Sequence, residues 1–254
     1  MNFNFKQTSI GFICGAGHGI GLGLTKVLLE NYPQLKIHAT YRVEHRAEQL
    51  LQLHRDYHER LFIHQVDPTK ESEINDLVIN LKRDEVKIDF ILNSVGLLHS
   101  EGIHPEKSLR NFNSETFLEV MKVNTVVTPL LAKTLEKVTD KTTLKIFATI
   151  SAKVGSIQDN KIGGWYSYRA SKAALNMLIK NISIEFERKK NNTICLAIHP
   201  GTTITDLSKP FIAKTKYQLH SIEECAQNII NVINSKRVED NGSFYSWDNE
   251  ELPW

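Results

Sequence analysis

The stretch SIGFICGAGHGIGLGLTKVLLE, residues 9–30, joins an apolar run to a periodic one through a turn in which every second residue is glycine. SIGFIC (residues 9–14) has the length and composition of a short buried strand, and LTKVLLE (residues 24–30) continues as a helix. The spacing G-x-G-x-x-G fits the turn in no register, whereas G-x-x-x-G-x-G fits on Gly15, Gly19 and Gly21. Without side chains, such a turn lets the backbone approach a pyrophosphate at a helix amino terminus. Strand, glycine turn and helix in that order predict a nucleotide site, with His18 and Ile20 inside the turn.

Outward from this unit, strand-like and helix-like runs alternate. KIHATY (36–41), LFIHQV (61–66), IDFILN (88–93), LKIFATIS (144–151) and TICLAIH (193–199) read as strands, and SFYSW (243–247) as a seventh. AEQLLQLHRDY reads as a helix, as do the segments carrying Ile74, Leu77, Val78 and Leu81, and a continuous helix is expected from about Ser114 to Val138. Ser221 and Glu224 form a capping box that opens a last helix. The expected fold is α/β: a Rossmann-type doubly wound parallel sheet of about seven strands with helices on both faces. No repeat or linker divides it, so residues 1–254 are expected to form one domain that includes a substrate loop at about 202–220.

The 254 residues are 41% hydrophobic, enough for a sizeable core. A net charge of +2 with interspersed signs leaves no electrostatic footprint for nucleic acid, and Arg188-Lys189-Lys190 complements a helix end. Three cysteines in separate segments argue against a disulfide framework, and none is paired at metal spacing. The amino terminus does not read as a signal peptide, and no run approaches the roughly 18 apolar residues of a membrane span. A cytoplasmic location is expected.

A second stretch carries chemistry. In GGWYSYRASKAALNM (Gly163 to Met177), Tyr168 and Lys172 are four residues apart on a predicted helix and share a face, while Tyr166 points elsewhere. A nearby ammonium favours the phenolate and lowers a phenol's pKa, which suits acid–base work. On this helix alone, a packing tyrosine beside a solvated lysine is an equal reading.

The glycine pattern followed by Tyr168-x-x-x-Lys172 resembles the classical short-chain dehydrogenases/reductases. NSVG (Asn93 to Gly96) stands where that family has Asn-Asn-Ala-Gly, Val123-Asn124 lies in the following helix, and PGTTIT (Pro200 to Thr205) matches Pro-Gly-x-x-x-Thr. GSIQDNKIGGWYSYRASKAALNM and the closing ELPW look most like the C-factor/sniffer-like carbonyl reductase branch. The resemblance implies a reductase moving hydride between NADPH and a carbonyl/alcohol pair, with Tyr168 as proton donor. Lys172 would lower the phenol's pKa and bind the nicotinamide ribose, and Asn124 would hold a water in a proton relay. Asp67 would accept from the adenine amino group, Asn93 would pack under the adenosine ribose, and Thr205 would hold the carboxamide. Gly96, Pro200 and Gly201 complete the implied cofactor site, and a homo-oligomer, dimer or tetramer, is implied as well. Asp67 before Pro68 could equally cap a turn, and Thr205 could be an ordinary loop residue.

The family's serine usually lies three residues before a glycine; counting back from Gly155 gives Ala152, which has no hydroxyl. Ser151, at the carboxyl end of the fifth strand, is favoured for the role, with Ser156 just past the glycine. NADP is preferred over NAD because HATYR carries no acid for a ribose 2′-hydroxyl, and Arg42 stands in its place. His18 could add a second donor. His54 and His58 lack the zinc-protease glutamate, and no metal is required. Segments 97–113, 152–165 and 202–220 are expected to wall a pocket for an apolar, neutral or anionic carbonyl compound. The competing reading is a C-factor-like sensor that binds the nucleotide with little turnover.

Overall fold

The computed structural model describes residues 3–213 and 217–254. Residues 214–216, inside the expected substrate loop, lie outside the described residues. In chain order the elements are β1 (Ile10–Cys14), α1 (Gly19–Asn31), β2 (Lys36–Tyr41), α2 (Glu48–Asp56), β3 (Leu61–Gln65), α3 (Glu71–Arg83) and β4 (Phe90–Asn93). Next come α4 (Ser114–Met121), α5 (Val127–Leu135), β5 (Lys145–Ile150), α6 (Tyr166–Arg188) and β6 (Thr193–His199). The short β7 (Thr202–Thr203) and β8 (Leu219–His220), then α7 (Ile222–Asn234) and β9 (Ser243–Ser246), complete the order.

Seven strands form one parallel sheet, as the sequence implied, in the order β3-β2-β1-β4-β5-β6-β9. Their side chains alternate between two cores, as a pleated strand buried on both faces requires. Ile13, Leu92, Ala148 and Leu196 join the core under α1, α2 and α7. Phe12, Ile91, Phe147 and Cys195 join the other, under α3, α5 and α6. Order reverses between β1 and β4, and the crevice beyond the carboxyl ends of the strands opens there, where ligands bind in such sheets. The Ser221–Glu224 capping box is present at the start of α7.

The continuous helix expected over 114–138 is interrupted. A π-helical turn, Lys122–Val126, separates α4 from α5, and a 3₁₀ turn, Glu136–Val138, ends the run. Pro129 supplies a reason: it has no N–H for the carbonyl of Thr125, and its ring crowds that carbonyl. Thr125 Oγ1 also donates to the Met121 carbonyl inside the same turn. Asn124 therefore sits in a π turn, not in a regular helix. The parallel pair β7–β8 ties the two ends of the substrate loop together. No helix among the described residues is long and apolar enough to cross a membrane.

Candidate active site

A cleft of about 1240 Å³ runs along the carboxyl edge of the sheet. Its first wall is the glycine turn. Gly15 adopts φ +83°, and a Cβ on Gly21 would come within 2.3 Å of the Gly15 carbonyl, so this close approach requires glycine. Ser94, where the resembling family has asparagine, donates from its hydroxyl to the carbonyls of Cys14 and Gly15 at 2.8 and 3.0 Å. The substitution thus holds the turn that it flanks. His18 precedes α1 and makes no side-chain capping bond, leaving first-turn amides of that helix open for an anion.

Arg42, at the end of β2, is exposed and borders the cleft. Burial lowers the pKa of His18 first, and the nearby guanidinium of Arg46 adds to it; Asp206 opposes them, and Arg42 contributes a smaller lowering. His18, Arg42 and Arg46 therefore form one basic corner. Sequence reasoning missed Arg46, although it lies four residues after Arg42. It pairs with Asp206 at 3.5 Å from the opposite wall. Asp67 does cap its turn: Oδ1 accepts from Thr69 N and Thr69 Oγ1 at 3.1 and 2.8 Å. It also borders the cleft. Partial burial works to raise its carboxyl, but the Thr69 hydrogen bonds, then Arg42 and Lys70, outweigh this and hold it below the usual range.

Three expected site residues lie behind the cleft lining. Gly21 is enclosed by the turn itself. Asn93 is buried, donating to Thr128 Oγ1 and Thr149 Oγ1 at 3.0 and 3.3 Å and accepting from Val95 N at 3.1 Å. It braces the end of β4 from below, behind the cleft lining. Asn124 accepts from Leu97 N at 2.6 Å and donates to Leu97 O and Ser171 Oγ at 2.8 and 2.9 Å. A Cβ on Gly96 would sit 3.7 Å from Lys172 Nζ and 3.8 Å from Asn124 Oδ1, so that glycine leaves a gap bordered by both.

Tyr168 and Lys172 come from consecutive turns of α6, and both line the cleft. Tyr166 is exposed and lies outside it. Lys172 Nζ donates to Ile150 O at 2.9 Å and stands 5.8 Å from the Tyr168 ring centroid. The expectation that the ammonium lowers the phenol's pKa is outweighed here: burial pushes Tyr168 up, and burial brings Lys172 down to about 8. At neutral pH the phenol therefore carries its proton. Its oxygen makes no hydrogen bond among the described residues.

Ser151 borders the cleft, but its hydroxyl donates to Asn176 Oδ1 at 2.6 Å, and no hydrogen bond joins it to Tyr168. Ala152 is the residue that packs with Tyr168 and Leu98, with Val154, Trp165, Leu207 and Phe211 closing around them. Ser156 is buried in the loop, where its oxygen accepts from Asp159 N at 3.1 Å and donates to Trp254 O at 3.2 Å. Opposite, Thr205 stands beside the glycine turn, its methyl 3.7 Å from where a Cβ of Gly19 would lie. Ile20, Pro200 and Gly201 also line the cleft.

Comparison with known proteins gives a family match over residues 10–216 to the short chain dehydrogenase model. Among solved structures, the chain is similar to the carbonyl reductase Sniffer of D. melanogaster, with TM-score 0.84 and 26% identity over 97% of this chain and 99% of that one. An NADPH-bound carbonyl reductase from chicken fatty liver is similar at TM-score 0.84 and 26% identity, covering 97% and 98%. A 1-hydroxy-2-glutathionyl-2-methyl-3-butene dehydrogenase from Rhodococcus sp. is 29% identical over 191 residues, 74% of this chain and 78% of the relative.

Proposed function

Because this chain belongs to the short chain dehydrogenase family, we propose that it is an NADP-dependent carbonyl reductase in which Tyr168 gives the carbonyl oxygen its proton. The observation that carries the reading is the buried Tyr168 phenol, lining the cleft with no hydrogen-bond partner among the described residues. Lys172, one turn on, is the cation placed to steady the phenolate left behind. A water over Gly96 would join its ammonium to Asn124 Oδ1 and return the proton. Ser151 holds Asn176 and is left out of the proton transfer.

The lining fits a dinucleotide. The glycine turn and the open amides of α1 would hold the pyrophosphate, and Arg42, Arg46 and His18 the 2′-phosphate. Asp67 Oδ2, unused by Thr69, would accept from the adenine amino group. Thr205, with Pro200 and Gly201, would meet the nicotinamide carboxamide, and Lys172 its ribose. When bound, the reduced nicotinamide supplies a hydride. The chicken enzyme carries NADPH, and both similar structures are described as carbonyl reductases, which supports the assignment. Leu98, Ala152, Trp165 and Phe211 favour a small, largely apolar substrate. The exposed apolar side chains of Leu118 on α4 and Met177 on α6 favour a homo-oligomer.

The test is steady-state NADPH oxidation across aldehydes, ketones and quinones. The parent should turn over at least one class, and Tyr168→Phe should lose the rate by orders of magnitude while binding NADPH as before. Tyr166→Phe should stay within a few-fold of the parent. NADPH binding with no turnover on any carbonyl would favour the sensor reading instead.

A further inference from the structure

The first turn of α6, which carries Tyr168, is not capped by its own neighbours. Trp165, at the N-cap, adopts a left-handed backbone (φ 50°, ψ 45°) and makes no side-chain capping bond. The missing acceptor comes from 61 residues earlier in the chain. Glu106 places its two carboxyl oxygens 3.3 and 3.2 Å from Ser167 N, and Ser167 Oγ donates to Oε1 as well. Glu106 is 2% exposed and Ser167 3% exposed, so neither has water as an alternative partner. The Glu106 backbone grips the same place: its carbonyl accepts from Trp165 N at 2.5 Å and lies 3.4 Å from where a Cβ of Gly164 would be.

From this geometry we infer that Glu106 is a positioning residue for Tyr168, holding the phenol in the cleft by fixing the first turn of the helix from the loop after β4. The inference rests on Tyr168 being the proton donor. Ser167 directly precedes Tyr168, and Trp165 packs edge-on against the tyrosine ring, centroids 6.2 Å apart at 77°. Both neighbours of the phenol are therefore attached to Glu106. Lys172 is anchored separately, through Ile150 O at the end of β5. Losing the Glu106 carboxylate contacts loosens Ser167, and with it Tyr168, while leaving Lys172 in place, so the spacing between donor and cation changes. A strained left-handed residue such as the half-buried Trp165 persists only where its surroundings over-determine it. Here the two Glu106 contacts supply that constraint.

The variants are Glu106→Ala, which removes both carboxylate oxygens from Ser167 but leaves the main-chain bond to Trp165 N, and Glu106→Gln, which keeps one amide oxygen for Ser167. Well below the melting temperature of each variant, Glu106→Ala should lower kcat about a hundredfold, with NADPH affinity and substrate KM within about threefold of the parent. Glu106→Gln should recover most of that loss. Amide hydrogen exchange should speed up at residues 167–170 in Glu106→Ala and stay slow at 175–186. Parental kcat in Glu106→Ala, or unchanged exchange in the first turn, would overturn the inference. So would a loss in KM and NADPH affinity equal to that in kcat. The Tyr168→Phe variant separates the two levels. Full turnover by it sinks the proton-donor reading, whereas its inactivity beside a fully active Glu106→Ala sinks only the role of Glu106.

Discussion

Ser151 donates its hydroxyl proton to Asn176 Oδ1 at 2.6 Å, a buried contact between the end of β5 and the middle of α6. The next residue, Ala152, is the one packed against Tyr168. A substrate oxygen arriving at the phenol thus meets a methyl group where the fold could present a hydroxyl. Ala152→Ser should place a second donor near the developing alkoxide and raise kcat/KM about tenfold or more for a ketone the parent reduces slowly. Ser151→Ala should act mainly on stability, at about 1 kcal/mol for the lost hydrogen bond. Steady-state rates and urea unfolding of the two variants check this. A rate loss in Ser151→Ala far beyond its stability loss would return the donor role to Ser151.

Lys172 gives the reaction a pH limb. Burial brings its pKa from the usual 10.5 to about 8, so its charge is present below that pH and lost as pH rises through it. If that charge steadies the phenolate of Tyr168, the reduction rate should fall above about pH 8. Lys172→Arg keeps a cation at all accessible pH and should move the limb upward, even if the rate itself drops. A pH profile of kcat/KM from pH 6 to 10 for both proteins is the measurement, since these values report the free enzyme. A flat parental profile would separate Lys172 from the chemistry.

The strands and the glycine turn were legible because their signals are local: apolar runs of strand length, then closely spaced glycines before a helix. The pairing of Tyr168 with Lys172 was legible for the same reason, through helical spacing. Partners distant in the chain were not. Nothing near Ser167 announces that Glu106 will cap its helix, and nothing near Asn93 shows that Thr128 and Thr149 will bury its amide. The π turn at Asn124 had a readable cause in Pro129, but the hydrophobic period runs through it and conceals the break. Spacing also gave the wrong sign for the phenol: proximity of a cation was visible in the sequence, whereas the burial that outweighs it was not.

The basic corner should set cofactor choice. With His18, Arg42 and Arg46 gathered at one end of the cleft, the parent should prefer NADPH over NADH by at least about tenfold, or roughly 1.4 kcal/mol. Arg42→Ala should remove most of that preference. Arg46→Ala should remove less, because Arg46 also pairs with Asp206 at 3.5 Å. Titration calorimetry with both cofactors gives the affinities without reference to turnover. Equal binding by the parent would reject the 2′-phosphate site, and an unchanged preference in Arg42→Ala would clear that residue.

The last prediction concerns stability against acid. On neighbouring strands β2 and β3, His38 Nδ1 and His64 Nε2 lie 3.0 Å apart, so one imidazole donates and the other must accept. Protonating both would set two donors against each other. Burial first, then His64, lowers the pKa of His38 from 6.5 to about 4, with Asp84 opposing, and burial lowers His64 too. In the unfolded chain His38 takes up its proton near pH 6.5, while the folded protein resists until about pH 4. The unfolded state therefore binds more protons in that window, and stability falls as pH drops through it. The full loss from His38 is on the order of 3 kcal/mol, taking about 1.4 kcal/mol per pKa unit. Urea unfolding at several pH values between 7.5 and 4 should show this slope, and His38→Leu should flatten it by about one proton. An unaltered slope in that variant would mean that other groups, His199 among them with its pKa also lowered to about 4 by burial, carry the acid sensitivity.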